Sequence, residues 1–290
     1  MNIIGLGKAG CAIAEKFSQY PQYNIFQIDV GAESDFDFIG QYEDAEVKKK
    51  AHSVKKQKGP EEYEANAPSL KTFFGNIEGD TFFVIGGSGD ISAMSLRIME
   101  QIKDKCDINI LYIAPDKSLL SEKRKMHEKV TYNVLQNYAR SGVVQRIYLV
   151  SNPQVESILG EVPIMGYFDR LNDFIVPTFH MINVFKNSDP LLGGLAKPGE
   201  TRRICTVGIY DMEKDEEKLF FPLDTIRETC YIYSVGERRL REDGGLHKKI
   251  VTQMKGKAND ETPNVSFGVF PTNYENDYCY VLAYSPNIQS

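Results

Sequence analysis

The stretch NIIGLGKAGC, residues 2–11, decides the fold. Residues 2–5 form a short apolar run that reads as a buried strand, and residues 8–20 carry helical spacing. Gly5, Gly7 and Gly10 fall at the turn between them. Glycines there allow a tight reversal and let phosphate oxygens approach backbone N–H groups, where the helix N-terminus adds a partial positive charge. The same glycines also suit plain close packing of helix on strand. A second strand over 24–30 (NIFQIDV) places Asp29 nineteen residues beyond Gly10. In a dinucleotide-binding fold an acidic residue at that place holds ribose hydroxyls. A nicotinamide-dependent Rossmann oxidoreductase is therefore one reading, and a cap for the following loop is another.

A strand over 81–85 then runs into Gly86-Gly87-Ser88-Gly89-Asp90-Ile91-Ser92, which opens another helix. Two glycine-rich strand-to-helix turns in one sheet suit a ligand with several phosphates better than a bridged pyrophosphate. Ser88 and Ser92 offer hydroxyls to phosphate or to metal-bound water. Asp90 beside a phosphate is repulsive unless Mg²⁺ lies between them. Ser88 or Asp90 as a helix N-cap accounts for the same residues without a ligand.

Elsewhere the chain alternates apolar runs with helical stretches, which reads as α/β with an open, largely parallel sheet. Strands are expected at 108–114 and 145–150, helices at 69–74, 92–105 and 119–139, and irregular chain over 31–60. A helix over 167–185 is apolar nearly all round. It contains Pro177, which costs about 3 kcal/mol in a helix interior, so a kink or early end is expected. The turn-rich segment DPLLGGLAKPGE (189–200) marks a junction. Beyond it come strands at 203–210 and 229–234, a polar helix near 238–255, and strands at 265–271 and 278–284 joined by TNYEND as a hairpin.

The 290 residues are 42 % hydrophobic and 26 % charged, a balance that buries a full core. Five cysteines and four histidines are scattered, so neither a disulfide framework nor a zinc site is expected. A formal net charge of −6 argues against general nucleic-acid binding, and the basic run KKKAHSVKKQK (48–58) reads as a solvated loop or helix face. No apolar run approaches the ~20 residues that span a bilayer. The start has no signal-type pattern, so a cytoplasmic protein is expected.

The order of these motifs resembles the tubulin/FtsZ superfamily along nearly the whole chain. GLGKAGC is similar to the family's first loop, with Ala9-Gly10-Cys11 matching the tubulin Ala-Gly-Cys. The GGTG signature loop is matched by Gly86-Gly87-Ser88-Gly89, whereas Ile85, Asp90 and Ile91 depart from it. Lys58-Gly59-Pro60-Glu61-Glu62 is similar to the bacterial γ-phosphate loop. Glu122 and Arg124 stand near where bacterial members carry Glu and Arg at the ribose. Phe168 and Asn172 share the spacing of a guanine-stacking aromatic and a base-reading Asn, and an i, i+4 pair shares one helix face. Asn187-Ser188-Asp189 matches the Asn-x-Asp that enters the next subunit's site and orients water. The closing segment 264–285 resembles the family's last hairpin.

The resemblance implies a Rossmann-like parallel-sheet GTPase domain over 1–162, a connecting helix over 163–188 and a smaller α+β domain over 189–290. It implies GTP/GDP with Mg²⁺ on Gly5, Gly7, Lys8, Ala9, Gly10, Cys11, Asp29, Gly59, Gly86, Gly87, Ser88, Gly89, Asp90, Glu122, Arg124, Phe168 and Asn172. Asn187 and Asp189 would complete hydrolysis in a neighbour, in a head-to-tail homopolymer of the compact plasmid or phage type. A structural subunit with weak or no nucleotide turnover is the alternative.

Overall fold

The computed structural model describes residues 1–31 and 49–290. Its first half is built on six strands, β1 (Asn2–Leu6), β2 (Asn24–Val30), β3 (Lys49–Val54), β4 (Gly79–Gly86), β5 (Cys106–Ala114) and β6 (Arg146–Ser151). All five pairings among them are parallel, in the order β3-β2-β1-β4-β5-β6. Parallel neighbours need crossover connections, supplied by α1 (Gly7–Phe17), α2 (Pro60–Ala65), α3 (Lys71–Phe74), α4 (Ser95–Glu100) and α5 (Glu122–Arg140). Both sheet faces are covered, so the central strands read as continuous apolar runs. Ile3, Val84 and Leu111 pack with Phe17 on one face, whereas Ile4, Ile85 and Ile110 pack with Ile98 and Leu135 on the other.

After α6 (Asn152–Leu159), α7 (Tyr167–Lys186) runs 20 residues without a break at Pro177. The expected early end does not occur. Phe179, Ile182 and Phe185 are buried beyond the proline, and burial worth about 1.5–3 kcal/mol per large side chain outweighs the proline's cost. The Thr178 hydroxyl also donates to the Phe174 carbonyl at 2.9 Å.

The second half continues the same sheet. β8 (Ile204–Asp211) joins β6, and the order runs on through β12 (Tyr278–Ser285), β10 (Glu228–Gly236), β11 (Asn264–Thr272) and β7 (Leu192–Gly194), with β9 (Glu216–Leu219) on β8. The connecting segment is pinned by Glu228, whose buried carboxylate accepts from Gly199 N–H at 3.2 Å and Arg202 at 2.5 Å.

Further expectations are corrected. β11 and β12 are not a hairpin, because β10 lies between them, parallel to β11 and antiparallel to β12. The crossover from β10 to β11 forces that parallel pairing, so the TNYEND loop bridges two strand spacings, about 9.5 Å. Asp277 secures the bridge by accepting from Gly236 N–H at 2.9 Å and Arg239 at 2.5 Å. The polar helix near 238–255 is two helices, α8 (Glu237–Glu242) and α9 (Leu246–Lys257), parted at Gly244-Gly245.

Within the stretch expected to be irregular, residues 49–54 form β3, while 32–48 lie outside the described residues. Two of its lysines are engaged. Lys49 pairs with Glu15, and the Lys50 ammonium donates to the Phe73 carbonyl at 3.2 Å.

A methyl group on Gly10 would lie 2.4 Å from the Val84 carbonyl oxygen. Gly10→Ala is therefore expected to lower stability by about 2–3 kcal/mol through displacement of α1. The check is urea denaturation, in which an unchanged midpoint would refute the contact.

Candidate nucleotide-binding site

Strand order reverses about β1, whose neighbours are β2 and β4. In open α/β sheets a crevice forms outside the carboxyl ends of the strands at such a switch point. Leu6 and Ile85 are register partners, so both glycine turns leave the sheet side by side. A Cβ on Gly86 would lie 3.3 Å from that of Ala9, which brings the two turns into contact.

The three glycines of the first turn have different tasks. A Cβ on Gly5 would meet the Gly10 carbonyl oxygen at 2.4 Å, and Gly10 is equally tight against Val84, so these two serve packing. Gly7 has φ +70°, a conformation open to glycine, and starts α1 at the crevice. Its N-cap residue, Leu6, has no side chain that can cap it, and among the described residues no other side chain bonds its first N–H groups, which leaves them to an anion. Lys8 and Ala9 are exposed beside them.

In the second turn, carbonyls are tied inwards. The Ser92 hydroxyl donates to the Gly89 carbonyl at 2.6 Å and approaches that of Gly87 at 3.3 Å. His127 of α5 brings Nε2 to 3.1 Å from the Gly89 oxygen. In a trans peptide the N–H points opposite the C=O, so tying these carbonyls turns the N–H groups of Ser88 and Asp90 the other way. Ser92 is thus a buried internal bracket, whereas Ser88 is half-buried and Asp90 exposed. Gly87 rests on Tyr112, whose hydroxyl would be 2.0 Å from a Cβ there. That hydroxyl donates to the buried Glu128 at 2.8 Å.

Ile91 introduces a competing element. Only 8 % exposed, it puts Cγ2 2.9 Å from a Cβ built on Gly7 and 3.9 Å from one on Gly89. Its side chain therefore occupies part of the space between the turns.

On the other side of α1, Cys11, Gln27, Asp29 and His52 help line a cavity of about 250 Å³. The Cys11 thiol points at the carbonyls of Gly5 (3.4 Å) and Ile28 (3.5 Å). Burial first, then the Asp29 carboxylate, pushes its pKa up to about 12. Asp29 accepts from Val30 N–H at 2.7 Å, and burial raises its own pKa against the pull of that bond and of Lys8.

Helix α7 lies along α1 in the same direction. Lys16 bonds Asp173 at 2.6 Å, and further on His180 stacks on Tyr20 at 3.6 Å. With a rise of about 1.5 Å per residue in each helix, this register sets Phe168 about level with Cys11. Phe168 is 64 % exposed, and Asn172 is 7 % exposed. Among the described residues the Asn172 side chain makes no hydrogen bond.

Gly59 is the N-cap residue of α2, which packs beside the 3₁₀ turn Asp90–Met94 and so brings the Lys58–Glu62 loop to the second glycine turn. Glu122 and Arg124 are exposed on the first turn of α5, where Glu122 bonds Lys125 at 2.8 Å. The α5 residue that reaches the carbonyl of Gly89 in the second turn is His127, which the spacing of the motifs did not single out. Asn187 donates to the Asn183 carbonyl at 2.8 Å and closes the C-terminal end of α7, with Asp189 exposed beyond it. Fifteen helical residues separate Asn172 from Asn187, about 22 Å, so Asp189 is remote from its own chain's turns. A groove of about 1160 Å³ lies elsewhere among the described residues, between α8 and the loop 272–277. It holds none of these residues.

Cys11 is expected to resist alkylation at pH 8, followed by peptide mass mapping. Asp29→Asn removes a negative charge that disfavours the thiolate, so it should lower the thiol pKa and speed labelling. Equal rates in the two proteins would contradict the electrostatic contact.

No protein-family model matches the chain, and no curated protein matches it. Solved structures do. An empty FtsZ dimer from M. jannaschii is 12 % identical, over 98 % of this chain and 87 % of that one, with a TM-score of 0.67. TubZ of Bacillus thuringiensis serovar israelensis, in a GTPγS-form protofilament, is 15 % identical over 98 % and 86 %, with a TM-score of 0.68. GDP-bound CetZ1 from Haloferax volcanii is 15 % identical over 98 % and 93 %, with a TM-score of 0.64. The superposition takes in 98 % of this chain in each case, and the chain has the tubulin/FtsZ fold.

Proposed function

We propose that the protein binds a guanine nucleotide between its two glycine turns and stacks head to tail into filaments. The observation that carries this reading is the pairing of two turns at the switch point, one uncapped and one with its carbonyls tied inwards. Together they offer two sets of N–H donors to one polyphosphate. The filament forms of the TubZ structures support the assembly half of the reading.

In this scheme residues 1–162 bind nucleotide, 163–188 connect, and 189–290 form the opposite contact surface. Phe168 stacks on the base and Asn172 reads its edge. Asp90, an exposed carboxylate of the second turn, fits Mg²⁺, which takes oxygen ligands, keeps several waters and neutralises phosphate charge. Asp189 lies too far away to act on its own chain's nucleotide and orients water for a neighbour, with Asn187 beside it. A heterologous contact of this kind leaves both ends open and makes filaments.

A compact filament protein of the plasmid or phage type is the setting we favour, supported by the similarity to TubZ. Among the described residues no helix is long and apolar enough to cross a membrane.

With GTP the protein is expected to sediment and scatter light, and hydrolysis per subunit should rise with protein concentration. Asp189→Ala should keep nucleotide affinity within about threefold and lose turnover by a hundredfold or so. Unchanged hydrolysis in that variant would remove Asp189 from the chemistry.

Ile91 favours a second reading, an assembly subunit with weak or no nucleotide binding. Thermal shift separates the two. GTP and GDP should raise the melting temperature of the wild type, NAD should not, and Ile91→Gly should tighten binding about tenfold. A wild type that shows no shift, beside an Ile91→Gly variant that does, would establish the second reading.

A further inference from the structure

We propose that His127 is a positioning residue for the nucleotide. Its imidazole holds the second glycine turn with its amide donors facing outwards. The inference rests on the nucleotide reading above and adds a residue from a separate element, 38 positions away in sequence from the carbonyl it holds.

The contact is specific in its chemistry. His127 Nε2 lies 3.1 Å from the Gly89 carbonyl oxygen and 3.1 Å from the Ser92 hydroxyl. A carbonyl only accepts, so Nε2 carries the proton there. The other donors to that oxygen, Ser92 N–H at 2.9 Å and Ser92 Oγ at 2.6 Å, belong to the turn itself. They can move with it. His127 ties it to α5.

Helix α5 is fixed in turn. Glu128, 1 % exposed, takes the Tyr112 hydroxyl under Gly87, and Lys117 approaches its other oxygen at 3.7 Å. Thr131 brings its hydroxyl to 3.5 Å from that of Ser92. Rotating α5 to release His127 would pull a buried carboxylate from its partner, which is costly. The imidazole is therefore held in place, and the Gly89–Asp90 peptide is held by it. Loss of that hold lets the peptide turn over, presenting a carbonyl dipole to the phosphates in place of an N–H.

The test compares wild type, His127→Ala and His127→Gln, the last keeping an N–H donor. Three quantities are read: affinity for a fluorescent GDP analogue, melting temperature of nucleotide-free protein, and amide hydrogen exchange over residues 86–92. His127→Ala should weaken GDP binding about tenfold, a loss in the range of one hydrogen-bonding group. Its melting temperature should stay within about 2 °C of wild type, while exchange in the turn accelerates. His127→Gln should recover most of both losses.

Unchanged affinity and exchange in His127→Ala would overturn the proposal. So would an affinity loss that Gln does not rescue, or one that tracks a fall in melting temperature. Wild-type protein that binds no guanine nucleotide would instead sink the functional reading, and with it any role for His127 in that binding. Exchange in nucleotide-free protein would still decide whether the imidazole holds the turn.

Discussion

Backbone lies directly on backbone where α1 crosses β1 and β4, and the site depends on that contact. Gly5 and Gly10 have no room for even a methyl group, against the Gly10 and Val84 carbonyls respectively. A side chain at either position would lift the helix by an ångström or more. Ala9 would then leave Gly86, and Gly7 would leave Ile91, so the turns would no longer form one rim. Such closeness is a property of dense packing, in which displacements are transmitted and not absorbed.

The same helix α7 braces both halves of the sheet. Phe179 meets Phe82 and Tyr148 of the first half edge-on at 5.8 Å, and Phe185 meets Phe270 of the second at 4.8 Å. A helix that continues past a proline because its lower half is buried on both sides acts as a stiff rod. Its two ends carry Asn172 and Asn187, so the candidate base-reading face and the candidate water-orienting loop keep a fixed separation.

Much of this was legible in the sequence where glycine and apolar runs coincide. The first half reads well because its strands are buried on both faces and its glycines mark their carboxyl ends. Phe168 and Asn172 were legible as an i, i+4 pair, and α7 does place them on the upper part of one helix beside α1. The closing strands were not, since TNYEND has the composition of a hairpin turn and nothing local shows that β10 inserts between its arms. His127 was invisible for a similar reason. A lone histidine on a helix carries no motif, and its partner lies 38 residues away on another element. Ile91 stood out as a departure, but only packing shows where its side chain goes.

The margins of the sheet bear on how the molecule avoids unwanted association. Its outermost strands among the described residues are β3 and β7. β3 carries Lys49 and Lys50, and β7 is three residues long and two-thirds glycine. Unpaired strand edges template amyloid-like addition unless charge or brevity blunts them. Both devices are in place, one on each flank, so accretion by strand addition at either margin is disfavoured.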